Sequence, residues 1–158
     1  MTLHAEVLDE SQRRILPGLA LEEVQTAPGT LHALTEGVRL SFLRYDYPLV
    51  GELLRSDEYA FALASLDDLA CMKLAAVAQR GSRKDFVDVY AIGVRHRPLA
   101  EMLELYRRKY STSDIGHVLM GLAYLDDAEE EPMPKMIWDV SWDEVTRRIS
   151  DWVRKAAG

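Results

Sequence analysis

Lys73 is the only charged residue in the ten-residue run Leu69–Ala78. A lysine on so apolar a helix either snorkels its ammonium to the rim or aims it at an anion, because an unpaired buried cation is expensive. Arg80 stands seven residues further on, two helical turns away, and therefore shares the side of Lys73. Two cations along one stripe suit a polyphosphate. Beyond Gly81, Asp85 and Asp88 are one turn apart on one helix face. They read either as an acidic pair favoured at a helix N-terminus by its dipole, or as partners that fix Lys73 or Arg80 across a helix hairpin by charge-assisted hydrogen bonds.

Other charged runs carry weaker signals. Arg95-His96-Arg97 and Tyr106-Arg107-Arg108-Lys109-Tyr110 interleave aromatics with cations as nucleic-acid surfaces do, but cations also suit the solvated C-terminal ends of helices, which is the plainer reading. The acidic run Asp126-Asp127-Ala128-Glu129-Glu130-Glu131, followed by Pro132-Met133-Pro134, is expected to be a solvated loop between helices. His4, His32, His96 and His117 are scattered, with no spacing that makes a metal pair or a nucleophilic triad.

The elements that must position these groups fall into two halves. From Leu21 to about Leu63 the sequence is punctuated by Ala27-Pro28-Gly29 and Glu36-Gly37, which predicts antiparallel strands over 21–25, 30–34 and 38–45 joined by tight turns. In the third strand Val38, Leu40 and Phe42 form a core-like face, with Arg39, Ser41, Leu43 and Tyr45 opposite. A fourth strand is expected near Tyr59–Leu63. From Ser65 the period becomes helical, and Ser65 with Asp68 reads as a capping box ahead of Leu66–Ala78. Gly81 is a natural stop. Further helices are predicted over 84–94, 99–110, 115–125 and 142–155, the second opening after Pro98 and the last capped by Ser141. The expected fold is α+β: one domain over 1–158, with an N-terminal helical segment (1–20), a strand region (21–63) giving a small antiparallel sheet of three or four strands, and a helical region (65–158) of about five helices packed on it.

Composition narrows the function classes. The 158 residues include 19 Lys and Arg against 26 Asp and Glu, a formal charge of −7. That balance argues against a general nucleic-acid binder that relies on phosphate neutralisation. Cys71 is the single cysteine, which rules out an intrachain disulfide and a cysteine zinc site. No apolar run reaches membrane-spanning length, and Met1–Glu10 holds Glu6, Asp9 and Glu10 rather than a signal-peptide core. A cytoplasmic location without a membrane partner is the expectation.

The stretch Ser65-Leu66-Asp67-Asp68-Leu69-Ala70-Cys71-Met72-Lys73-Leu74-Ala75-Ala76, followed by Gln79-Arg80-Gly81-Ser82-Arg83-Lys84-Asp85-Phe86-Val87-Asp88-Val89-Tyr90, resembles the AbiEii/AbiGii-type nucleotidyltransferase toxin family. The likeness continues through Leu105–Tyr110 and Tyr124–Pro134, and weakly back through Val38–Tyr45, about three-quarters of the chain. The resemblance implies that Asp68 and Lys73 form one motif, with Lys73 on phosphate, and that Asp85 and Asp88 form an acidic motif that assists the metal site. It also implies Mg²⁺ and a nucleoside triphosphate as cofactor and substrate, and a cognate antitoxin as partner. The family's Gly-Gly turn and Asp-x-Asp pair, expected before the strand region, are not in this sequence. Between Leu19 and Glu22, where they belong, the chain runs through Ala20 and Leu21 into the hairpin.

Because phosphoryl transfer rests on positioning and on metals that neutralise developing charge, a truncated, catalytically impaired nucleotidyltransferase-like protein is expected. Lys73 and Arg80 are the phosphate-binding candidates, and Lys73, Asp68, Asp85 and Asp88 the catalytic candidates. The rival expectation is a non-catalytic interaction protein, such as a toxin–antitoxin component, that binds another chain or itself as a homodimer through an exposed sheet edge.

Overall fold

The computed structural model describes residues 22–55, 57 and 61–157. The N-terminal helical segment expected over 1–20 lies outside these residues, as does the junction between Leu19 and Leu21. The chain divides into two compact units, one ending at Asp46 and the other beginning at Tyr47.

The first unit is a three-stranded antiparallel sheet in the order β1 (Glu22–Ala27), β2 (Thr30–Thr35), β3 (Val38–Leu43). Its two connections follow from the turn chemistry. Ala27 pairs with Thr30 across Pro28-Gly29, where proline fixes the first central φ and Gly29 takes φ +73°, the pattern of a type II turn. Thr35 pairs with Val38 across Glu36-Gly37, whose φ values of +49° and +77° are both left-handed, as a type I′ hairpin turn requires. The register places Leu31 opposite Phe42 and Ala33 opposite Leu40, so these side chains share one face, on which Leu31 and Ala33 are buried. Val38, expected on the core-like face, is instead 57% exposed, because it is the first strand residue after the turn. The fourth strand expected near Tyr59–Leu63 lies partly outside the described residues, since 58–60 are not among them; within the described part Leu63 forms an isolated antiparallel bridge to Leu54, with N–O distances of 2.9 and 2.8 Å.

The second unit is helical: α1 (Leu66–Gln79), α2 (Arg83–Arg95), α3 (Leu99–Tyr110), α4 (Gly116–Ala123), α5 (Asp126–Glu129) and α6 (Trp142–Ala157). Helix α1 packs against α2, α3 and α4, and α6 packs against the same three. The core between them holds Leu74, Phe86, Met102, Leu122, Val145 and Ile149, all at 0% exposure, each worth roughly 1.5–3 kcal/mol of apolar burial. The five longer helices fall where the 3.6-residue period puts them. The single-turn α5 does not: it occupies part of the acidic run expected to be a loop. Its Ala128 is buried, which ties that turn to the core despite its charge.

No helix among the described residues is long and apolar enough to cross a membrane.

Candidate functional site

Helices α1 and α2 are joined by Arg80, Gly81 and Ser82, and this short turn folds the acidic start of α2 back onto the basic flank of α1. Lys73 Nζ lies 2.6 Å from Asp88 Oδ2 and 3.5 Å from Asp85 Oδ1. Arg80 grips Asp85 with a two-pronged bond, Nε to Oδ2 at 2.7 Å and NH2 to Oδ1 at 2.9 Å. The Ser82 hydroxyl donates to Asp85 Oδ2 at 2.7 Å. All four residues singled out by spacing therefore meet in one cluster, and the aspartates hold the cations across the hairpin rather than only decorating a helix start.

The cluster is graded in exposure. The Asp85 side chain is 0% exposed, Lys73 28%, Asp88 44% and Arg80 56%. Burial works against the Asp85 charge, but hydrogen bonds from Arg80 and Ser82 with the nearby Lys73 ammonium outweigh it, and its carboxyl sits below the usual range. The same Asp85 bond raises the Arg80 guanidinium above its ordinary value.

Asp68, the other acidic candidate, sits elsewhere and has a different task. Ser65 Oγ accepts from the Asp68 backbone N–H at 3.0 Å and donates to its carboxylate at 2.6 Å, so the predicted helix cap is present. The carboxylate also accepts from the backbone N–H groups of Val50 and Gly51 at 3.0 and 3.1 Å, and from Lys109 Nζ at 2.6 Å. Lys109 in turn donates to the Pro48 carbonyl at 2.7 Å. Both side chains are essentially out of solvent, at 1% and 0% exposure. Burial opposes the Asp68 charge, yet the bonds from Lys109, Ser65, Val50 and Gly51 prevail and lower its carboxyl to about 2. Gly51 has to be glycine for this approach, since a Cβ there would lie 2.4 Å from Ser65 Oγ.

Lys109 overturns the expectation of a solvated basic helix end at Tyr106–Tyr110. A signal for it was present: Lys109 is three residues after Tyr106 and seven after Met102, both buried on α3, so helical period alone puts it on the inward face. The Arg95-His96-Arg97 run is also engaged. Arg95 lies 3.4 Å over the Trp138 ring, while His96 Nε2 and Arg97 Nε both contact Asp67 Oδ1, at 2.7 and 2.8 Å. Arg83 donates to the carbonyls of Ala128 and Glu129, each at 2.7 Å, and lies over Trp142, tying α2 to the acidic turn.

These carboxylates do not fit a divalent metal. Both oxygens of Asp85 are taken by Arg80, those of Asp68 are filled by four donors, and Asp88 Oδ2 is on Lys73. Among the described residues no group of three or more His, Cys, Asp or Glu side chains is placed to ligate one. The hairpin cluster can therefore present two positioned cations to an anion, and the Asp68–Lys109 knot fixes the segment Pro48–Gly51 to α1 and α3.

No family model matches the chain, and no solved structure matches it. The chain is similar to Uncharacterized protein aq_aa25 of Aquifex aeolicus (strain VF5), with 36% identity over 117 residues, 73% of this chain and 56% of that protein. The chain thus spans little more than half the length of the curated relative it matches.

Proposed function

We propose that the chain is a nucleotidyltransferase-like protein of the AbiEii/AbiGii kind, working in the cytoplasm, that holds the phosphates of a nucleoside triphosphate at Lys73 and Arg80 and does not carry out transfer by itself. The observation that supports this reading is the pair of solvent-reaching cations at one helix hairpin, 28% and 56% exposed, with buried Asp85 behind both. Cations already held in place lose little side-chain freedom on meeting a ligand. The partner of Lys73 that reaches solvent, Asp88, makes the kind of surface pair that is worth little and gives way to a polyphosphate. Impaired catalysis fits the engagement of Asp68 and Asp85 in structural bonds and the absence from this sequence of an Asp-x-Asp pair. Pyrophosphate release from each nucleoside triphosphate, with magnesium and an RNA acceptor, should stay at background for this chain alone; sustained release would overturn the reading.

A second reading draws on the sheet. Among the described residues β1 and β3 pair only with β2, and β3 carries Val38 and Leu43 at 57% and 64% exposure. Open strands of this kind accept another strand, so the chain would be a non-catalytic interaction protein that binds an antitoxin or a second copy of itself. Sedimentation at micromolar concentration should then give a homodimer; a monomer that also ignores a candidate antitoxin would refute it.

A further inference from the structure

The solvent-facing side of the sheet carries a row of polar groups that neither reading uses. Gln25 pairs with His32, and His32 with Ser41, so the three side chains line up across β1, β2 and β3 on the face opposite Leu31 and Ala33. Arg39, two residues before Ser41 on the same strand, joins them. Together they line a concavity of about 340 Å³, within the size of small-ligand sites.

Its chemistry is one-sided. Every polar side chain named can donate a hydrogen bond, and the described lining residues include no carboxylate, in a chain with 26 of them. Arg39 is exposed and, among the described residues, makes no ion pair within 4.0 Å. His32 Nδ1 and Ser41 Oγ are 2.8 Å apart. Whichever way that hydrogen runs, the pair keeps a further donor: Nε2–H if the serine donates, the Ser41 hydroxyl if the imidazole does. A guanidinium fork beside that remaining donor and the Gln25 amide matches the oxygens of a phosphate group.

We propose that this face of the sheet is a second anion site, for a phosphate group, built from Arg39, His32, Ser41 and Gln25. It is independent of Lys73 and of the nucleotide reading.

The test is amide chemical-shift mapping of the whole chain during titration with sodium phosphate to about 10 mM, tenfold above a Kd of about 1 mM. Sodium chloride at equal ionic strength and sodium acetate are the controls. The expected result is saturable shifts at residues 25, 32, 39 and 41 with phosphate only, a Kd raised about tenfold or more in Arg39→Gln, and no change in Lys73→Ala. Arg39 is an exposed strand residue, so its replacement leaves the fold intact, which the unperturbed spectrum checks directly. A titration with adenosine monophosphate identifies the source: tighter binding than phosphate assigns the site to phosphate esters, equal binding to free phosphate. Absent or non-saturable shifts, equal shifts with acetate, or equal binding by Arg39→Gln would overturn the proposal.

Discussion

Replacing Lys109 by methionine should remove one half of the buried pair that anchors Pro48–Gly51. Methionine keeps much of the apolar stem and removes the ammonium, so the main loss is the 2.6 Å bond to Asp68 and the 2.7 Å bond to Pro48. Breaking one side of a buried pair typically costs about 3–5 kcal/mol. The low end, about 3 kcal/mol, applies here because Asp68 keeps three other donors, the Val50 and Gly51 amides and the Ser65 hydroxyl. Asp68→Ala should cost more, about 5 kcal/mol, since it strands all four donors at once. Urea unfolding at pH 7 measures both.

The pH profile supplies a second reading of the same pair. The folded Asp68 carboxyl is lowered from 3.8 to about 2, so its ionised form contributes about 2 kcal/mol that is present above the unfolded value and lost as pH falls from about 4 toward 2. In Lys109→Met that depression shrinks, and the gap between wild type and variant should narrow across the same window. A penalty below about 1 kcal/mol for Lys109→Met at pH 7, or a gap that stays constant down to pH 2, would refute the argument.

Three further outcomes follow from named contacts. Arg80→Ala should destabilise by about 2 kcal/mol, less than for a fully buried pair because Arg80 is 56% exposed; since the Asp85 carboxyl is held below its ordinary 3.8, the deficit should narrow below about pH 4, as urea unfolding at several pH values will show. Glu36→Asn should stabilise the hairpin by about 0.5–1 kcal/mol, because Glu36 sits at φ +49°, a conformation that asparagine tolerates better; the thermal midpoint reports it. The Cys71 thiol is buried and pushed up to about 11, chiefly by burial, so an aromatic disulfide reagent should label it only under unfolding conditions.

The parts of the fold legible in the sequence are those set by local rules. Pro28-Gly29 and Glu36-Gly37 fixed the hairpins because left-handed backbone favours glycine, and the helices followed their apolar period. The meeting of Lys73, Arg80, Asp85 and Asp88 is also legible, since a basic stripe before Gly81, two turns long, and an acidic pair after it, one turn apart, face each other once the chain reverses there. The depth of Lys109 is hidden by its neighbours Arg107 and Arg108, which give the local composition a solvated look, whereas its burial depends on a carboxylate 41 residues earlier in the chain. The pairing of Leu63 is not legible for a related reason: strand propensity does not specify a partner, and its partner is Leu54. The polar row on the sheet is not legible in the sequence because Gln25, His32 and Ser41 come together only through register.

Calorimetric titration of each nucleoside triphosphate, with magnesium, into wild type and Lys73→Ala tests the central claim most directly. The account predicts saturable binding of at least one nucleotide to wild type and its loss in the variant, with the two proteins equally folded. No binding to wild type at millimolar nucleotide, or equal binding by both, would contradict it.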